Sequence, residues 1–438
     1  MEITVKGSSI ICPAQETPKE RQWISNLDMA MTAYYHLLVY FYRPNGSSQF
    51  FNAQVLKEAL SKTLVSFYPM AGRLGSDDKG RLEIVCNAEG VLWVEAETNF
   101  AIDDLGDFKP SLKLRRLVPF PNSGDPFSHP LFMAQLTTFK CGGVCLGVGI
   151  HHTLADGTTT TNFLNSWSEI ARGLPQITVP PLIDRTLLRA RVPPTPKFHH
   201  VEYDSFPSLN TSWQPNPQVS VFKITRDQLN TLKSKSIKNE STIKFSTHTI
   251  LAAYIWRCVS KARSLSYNQV TMLNLPTNGR TRLQPPLPSG YLGNVVFMAS
   301  LTALSGNLQS EPFMKTVERI HGAVNRMDDE YLRSALDYLE ILLDITTVRR
   351  GAQSFQCPNL TIINWMGFFP NAANFGWGQP IYVGPANVAQ EGKIFLVPSP
   401  ESNGSVSLIA CLDASHMENF QKHLYEGLMS FDKIKARF

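Results

Sequence analysis

The segment from Val192 to Gln218, VPPTPKFHHVEYDSFPSLNTSWQPNPQ, constrains this chain more than any other. Prolines, asparagines and serines interrupt both helical and strand periodicity there. A stretch of that length without a pattern of its own reads as a crossing linker. Its aromatic residues need burial, which drapes it over the surface instead of leaving it free. The linker divides 438 residues into two halves, each about the size of an ordinary domain with its own core. The reading is a first domain over 1–191, a linker over 192–218 and a second domain over 219–438.

Both halves alternate between strand and helix patterns. In the first, FFNAQVLKEALSKTLVSF sets Val55, Leu56, Leu60, Leu64 and Val65 at helical spacing, and Pro69 and Gly72 of YPMAGRL stop it. RLEIVCNA alternates as a strand. FMAQLTTFKCGGVCLGVGIHH reads as two strands joined across CGG, the second so continuously apolar that both its faces are buried. TTTTNFLNSWSEIARG is a helix with Phe163, Leu164, Trp167 and Ile170 along one face and Gly173 as its stop. In the second half QVSVFKITRDQLNTLKSKS is a strand followed by a helix, and STIKFSTHTILAAYIWRCVSKAR is a helix with a basic end. EPFMKTVERIHGAVNRM is another helix, and KIFLVPSP and GSVSLIACLD are strands ahead of a last helix, SHMENFQKHLYEGL. Such alternation indicates α/β layering.

Composition narrows the function classes. Hydrophobic residues make up 43% and charged residues 18%, so the chain is globular. The net charge of +5 is spread without a basic block, which argues against a nucleic-acid partner and suits a small anionic ligand. No apolar run reaches the ~20 residues that span a bilayer. The opening MEITVKGSSIICPAQETPKERQ carries charges of both signs and lacks the apolar core of a signal peptide. The expectation is a cytoplasmic protein with no membrane partner. Of the seven cysteines only Cys141 and Cys145 are close, with no second ligand pair, so reduced, buried thiols and no metal site are expected.

Two short motifs carry chemistry. His151-His152-Thr153-Leu154-Ala155-Asp156-Gly157 follows directly on the buried strand. A histidine at a strand end can present its ring to a channel between domains, and its neutral form accepts a proton at ordinary pH. Asp156 could orient the His152 ring, or turn away and pair with an arginine to fix the loop. It is also a good helix start, and for this motif alone a core histidine beside a capping aspartate would be the better reading. Gly157 removes a Cβ where a ligand or the backbone must pass closely. The second motif, Asn374-Phe375-Gly376-Trp377-Gly378, holds an indole in a fixed turn. Taken alone, that tryptophan could equally plug a core.

Together, HHTLADG and NFGWG resemble the plant BAHD acyl-CoA acyltransferases, whose marks are HxxxD and DFGWG. The resemblance covers essentially the whole chain, through YPMAGRL, Tyr291-Leu292-Gly293-Asn294 and EGKIFLVPSP. FYRPNG, ARGLPQITVPPLIDRTLLRAR and NGRTRLQPPLPSGYLGN suggest the hydroxycinnamoyl-CoA shikimate/quinate branch. The resemblance implies two similarly sized chloramphenicol-acetyltransferase-like α/β domains with a solvent channel at their interface. CoA would enter from one side and the acceptor from the other, and the protein would work as a monomer. His152 would deprotonate the acceptor for direct attack on the thioester, and the Trp377 N–H would steady the oxyanion. Asp156 would be structural. Acyl-CoA is then a co-substrate, with no permanently bound cofactor. Gly157, Ser246, Thr247, Lys261 and Arg263 are candidates for CoA, and Tyr35, His36, Leu38, Tyr40, Thr158 and Gly367 for the substrate pocket. Asn374, Gly376, Gly378, Arg280 and Arg282 would form a structural loop contact between the domains.

The chain departs from that pattern at four places. Asn374 replaces the DFGWG aspartate, so an ion pair with an arginine of Asn278-Gly279-Arg280-Thr281-Arg282 would become a neutral hydrogen bond. YFGN has become YLGN. Gly367 stands where the branch has an arginine that grips the acceptor carboxylate, which puts a shikimate-type acid in question. Tyr35-His36-Leu37-Leu38 replaces His-Thr-Pro-Ser in the acyl pocket, and Leu38 cannot hydrogen-bond a phenol. The leading expectation is hydroxycinnamoyl transfer from CoA to a small alcohol. The nearest rival is amide formation on a polyamine or aryl amine, which loss of a cation at 367 would favour. A carrier-protein condensation domain and a non-catalytic binding protein are the alternatives from other classes.

Overall fold

The computed structural model describes residues 1–31, 34–121, 124–204, 215–236, 244–348, 354–368, 373–401 and 403–429. Two six-stranded mixed sheets organise it. The first runs in the order β1 (Thr4–Ile11), β6 (Val91–Thr98), β7 (Phe132–Phe139), β8 (Val144–His151), β3 (Tyr35–Tyr42), β13 (Tyr382–Pro385). The second runs β11 (Val296–Leu304), β10 (Val270–Asn278), β12 (Leu360–Asn364), β14 (Lys393–Pro398), β15 (Val406–Asp413), β9 (Pro217–Ile224). A small sheet of β2 (Glu20–Trp23), β5 (Leu82–Cys86) and β4 (Arg73–Ser76) flanks the first.

β8 is buried along its whole length, as its apolar run requires. Val144, Leu146, Val148 and Ile150 face one core cluster, and Cys145 faces another. Gly147 is needed for close approach, because a Cβ there would fall onto the Leu117 carbonyl. Helix Ala53–Ser66 starts on Asn52, whose side chain accepts from the N–H groups of Gln54 and Val55, and it buries Leu56, Ala59, Leu60 and Leu64. It packs on helix Gly157–Ala171, where the Trp167 indole donates to the Leu56 carbonyl at 2.9 Å. In the second half, helix Thr247–Ala262 is buried on nearly all sides between its sheet and the helices Phe313–Asn325 and Ala414–Glu426. Helix Asp329–Ile341 and the hairpin of β10 and β11 were not singled out by periodicity.

The linker lies against the second half. His200 and Tyr203 are buried, His200 between Glu202 and Ser334 at 3.0 and 2.9 Å. Residues 205–214 of the linker fall outside the described residues, and Pro217 already belongs to β9. All seven cysteines are free thiols, but Cys12 and Cys141 are exposed instead of buried. Among the described residues no helix is long and apolar enough to cross a membrane.

One segment of the second half does not stay with the second sheet. β13 belongs to the second half in sequence, yet it pairs antiparallel with β3 and completes the first sheet, Tyr382 opposite Phe41 and Pro385 opposite Leu38. β3 would otherwise present an unpaired row of N–H and C=O groups at the sheet edge. Phe375 of NFGWG is buried in the first domain's core as well, 5.0 Å from the Trp167 ring.

Candidate active site

A cavity of about 450 Å³ lies between the halves, within the usual range for small-molecule sites. Residues 34–38 of the β3 segment, His152, Asp156, Gly157, Thr158 and Thr160 line it from the first half, and residues of β10, β12, β14 and the 385–390 segment from the second.

His152 is placed there by backbone more than by side chain. It follows the last residue of β8, and its N–H donates to the Tyr34 carbonyl at 3.0 Å. Its own carbonyl accepts from the Asn294 side-chain amide at 2.8 Å. Asn294 is itself held by Asp28, through both its main-chain N–H at 2.8 Å and its side chain at 2.9 Å. Asp28 pairs with the buried Arg185 at 3.0 Å, and Arg185 donates to the Leu154 carbonyl. The loop that carries the histidine is thereby clamped by residues from both halves of the chain.

Asp156 takes the second of its two possible roles. Its carboxylate caps helix Gly157–Ala171 through the Thr159 N–H at 2.9 Å, accepts from the Val295 N–H at 3.0 Å, and meets Arg280 at 2.7 and 3.1 Å. Burial by itself would raise the Asp156 pKa. The Arg280 charge and these hydrogen bonds more than offset it, and hold the group below its ordinary value. Arg280 also donates to Thr159 Oγ1 and to the Gly293 carbonyl, both at 3.0 Å.

This pairing corrects the expected partner of Asn374. Among the described residues Arg280 is engaged by Asp156, while Arg282 borders the cavity and donates to the Val324 and Met327 carbonyls. Asn374 instead accepts from the Gly376 N–H at 3.0 Å within its own turn. Gly376 and Gly378 adopt φ of +98° and +111°, which side chains rarely tolerate. The turn therefore needs its glycines, and asparagine suffices where the family has aspartate.

The loop also corrects the role expected of Trp377. Its ring packs 5.0 Å from that of Phe51, its carbonyl accepts from Asn45, and it does not line the cavity. Trp377→Leu is therefore expected to lower the melting temperature while leaving kcat within about threefold, whereas loss of a true oxyanion donor costs roughly 10²–10³. Steady-state kinetics beside a melting curve decide this.

The substrate candidates divide. Tyr35, His36, Leu38 and Thr158 line the cavity. Tyr35 donates to the Pro130 carbonyl at 2.8 Å, and burial pushes its pKa up to about 12. Tyr40 lies deeper, fully buried in the core behind Leu38, and does not line the cavity. Gly367 is exposed beside the lining residue Phe368, and a Cβ there would meet nothing within 4 Å. The glycine is therefore not imposed by crowding at the Cβ. Gly157 lines the cavity, where a Cβ would crowd the Phe368 ring at 3.3 Å.

The remaining CoA candidates are not brought to the cavity. Ser246 caps helix Thr247–Ala262 through the Thr249 N–H, and neither it nor Thr247 lines the cavity, although the next residue, His248, does. Lys261 and Arg263 lie at the other end of that helix and do not line the cavity. Arg263 is buried against Glu391 at 2.6 Å and donates to the Asn359 carbonyl, so it is a structural group.

His36, expected in the pocket, is joined there by His248, Lys393 and Thr361, which escaped sequence reasoning. The His36 ring stands edge-on to that of His152 with centroids 3.8 Å apart. Burial, then the nearby His152, Lys393 and His151, push the His36 pKa well below its ordinary value, so the ring stays neutral. Burial likewise lowers His248 to about 4. Lys393 and Thr361 line the cavity from β14 and β12. A lone lysine opening the apolar run KIFLVP was the one available signal.

Comparisons with known proteins agree with this architecture. The family model described as the Transferase family matches residues 1–427. A shikimate O-hydroxycinnamoyltransferase of Nicotiana tabacum is 49% identical over 97% of this chain and all of its own length. A hydroxycinnamoyl-CoA:5-hydroxyanthranilate N-hydroxycinnamoyltransferase of Avena sativa is 47% identical over 96% of this chain and 99% of its own. The crystal structure of vinorine synthase superposes with a TM-score of 0.75 at 21% identity, covering 95% of this chain and 96% of that one, which shows the shared two-domain chloramphenicol-acetyltransferase-like fold. With the clamped HHTLADG loop at the domain interface and a family match that runs nearly end to end, the chain belongs to the Transferase family of plant BAHD acyl-CoA acyltransferases.

Proposed function

We propose that this enzyme moves a hydroxycinnamoyl-type acyl group from its CoA thioester to a hydroxyl of a small acceptor, with His152 as general base. The observation that carries the base assignment is the ring of His152 in the interdomain cavity, its main chain pinned on both sides and its neighbour His36 neutral. A protonated neighbour would weaken the base, and a neutral one leaves it able to accept a proton. His152 takes the acceptor hydroxyl proton as the oxygen attacks the thioester carbonyl. The tetrahedral intermediate then collapses with cleavage of the C–S bond, and the proton on His152 passes to the departing CoA sulfur. Asp156 is spent on Arg280 and keeps the loop in place.

The relatives support the acyl donor but leave ester and amide formation side by side, since the tobacco protein is named for O-transfer and the oat protein for N-transfer. The exposed, uncharged position 367 is the feature that favours the amide reading. Incubation of p-coumaroyl-CoA and caffeoyl-CoA with shikimate, quinate, 5-hydroxyanthranilate and a polyamine, followed by product mass, separates them. Ester products are expected. Amides alone would transfer the assignment to the amine reading. The proposal carries with it a cytoplasmic monomer.

A further inference from the structure

Lys393 is a cation in a place where cations are costly. It is 6% exposed, and among the described residues no carboxylate lies within 4.0 Å of its ammonium. What surrounds the charge is the Tyr34 phenol at 2.7 Å and two aromatic faces, Phe355 at 4.1 Å and Tyr34 at 5.2 Å. Cation–π contacts and one neutral hydroxyl offset only part of the desolvation of an ammonium. Directly across the parallel β12–β14 pair stands Thr361, 1% exposed, whose hydroxyl has no hydrogen-bond partner among the described residues. Both side chains border the same cavity. A buried cation and a buried hydroxyl, adjacent and incompletely satisfied, are what an anionic oxygen pair would complete.

The position narrows which anion. The Tyr34 ring, whose hydroxyl rests on Lys393, lies 6.4 Å from the His152 ring and 5.7 Å from that of His36. The ammonium is thus one ring away from the base. A ring acid whose carboxylate met Lys393 would lie in the same cavity as His152, which would take the proton from its hydroxyl or amine. Gly367 lies beyond the opposite end of β12 from Thr361, so this anchor does not restore the missing arginine in place.

We infer that Lys393 and Thr361 form the anchor for a carboxylate of the acceptor. The inference rests on the acyl-transfer reading above and names the residues that would select its acceptor.

The test compares shikimate with its uncharged methyl ester, and 5-hydroxyanthranilate with its amide, on wild-type enzyme and on Lys393→Met, Lys393→Arg and Thr361→Val. Lys393→Met should raise KM for the acids by about 10- to 100-fold, with kcat and the KM for acyl-CoA within about threefold. Lys393→Arg should recover part of the loss. The ester and amide should bind poorly to wild type and be indifferent to the substitution. Thr361→Val, which keeps the side-chain volume and the cation, should raise KM for the acids severalfold and leave the neutral analogues unchanged. It carries the test if Lys393→Met does not fold. An equal effect on acids and neutral analogues, or an effect on KM for acyl-CoA alone, overturns the anchor. Wild-type turnover of neutral alcohols but of neither acid would also overturn it and leave the acyl-transfer reading standing. Failure with every acceptor would remove both.

Discussion

Replacing His152 by alanine is expected to lower turnover by roughly 10²–10⁴ while CoA affinity and the melting temperature hold. The physical ground is that the two contacts which place this residue, with the Tyr34 carbonyl and the Asn294 amide, are made by main-chain atoms that alanine retains. What is lost is the ring alone. His36 cannot take over, because its ring is held far from protonation by burial and so is a weak base. Single-turnover kinetics with saturating acyl-CoA, beside CoA binding by calorimetry, give the two readouts. Turnover at the wild-type level would refute the assignment.

The second large effect concerns stability. Arg280→Met should cost about 3–5 kcal/mol, because it leaves the Asp156 carboxylate buried with only two backbone donors. Equilibrium denaturation with urea measures it. The pH dependence has a definite sign. Asp156 has a folded pKa below its unfolded value, so its stabilisation is present above the ordinary carboxylate range and is lost as pH falls through the lower folded value. In Arg280→Met burial is opposed only by the Thr159 and Val295 N–H donors and that pKa rises, so the gap to wild type should be widest near neutrality and should narrow on acidification. A gap independent of pH would mean that the arginine stabilises through packing alone. The two substitutions also separate by kind, the first sparing the fold and the second weakening it.

Much of the fold was legible because local patterns and tertiary burial coincide. The unbroken apolar run of β8 and the stripe of Phe163, Leu164 and Trp167 both read correctly from residue order. β13 was not legible, since four residues of YVGP carry no period long enough to name a partner, and its pairing depends on where β3 leaves an open edge. The site divides the same way. HHTLADG marks its own position, because a strand end followed by a helix cap is a local event. The Arg280 partner was misread because Asp156 and Asn374 offer the same short side chain to one guanidinium, and only the fold decides which arrives. Lys393 and Thr361 are 32 residues apart on strands that become neighbours through parallel pairing, a relation that sequence order does not display.

The crossing of β13 to the first sheet bears on traffic through the site. The second half reaches back to pair with β3, Asn294 grips Asp28, and Arg280 grips Asp156, so the halves are fastened on several sides of the cavity. A clamshell opening would have to break a strand pairing and a buried ion pair in every cycle. Acyl-CoA and acceptor would then have to reach the cavity with these fastenings intact. In such an enzyme the fixed walls of the cavity, more than any hinge, set how bulky a substrate can be.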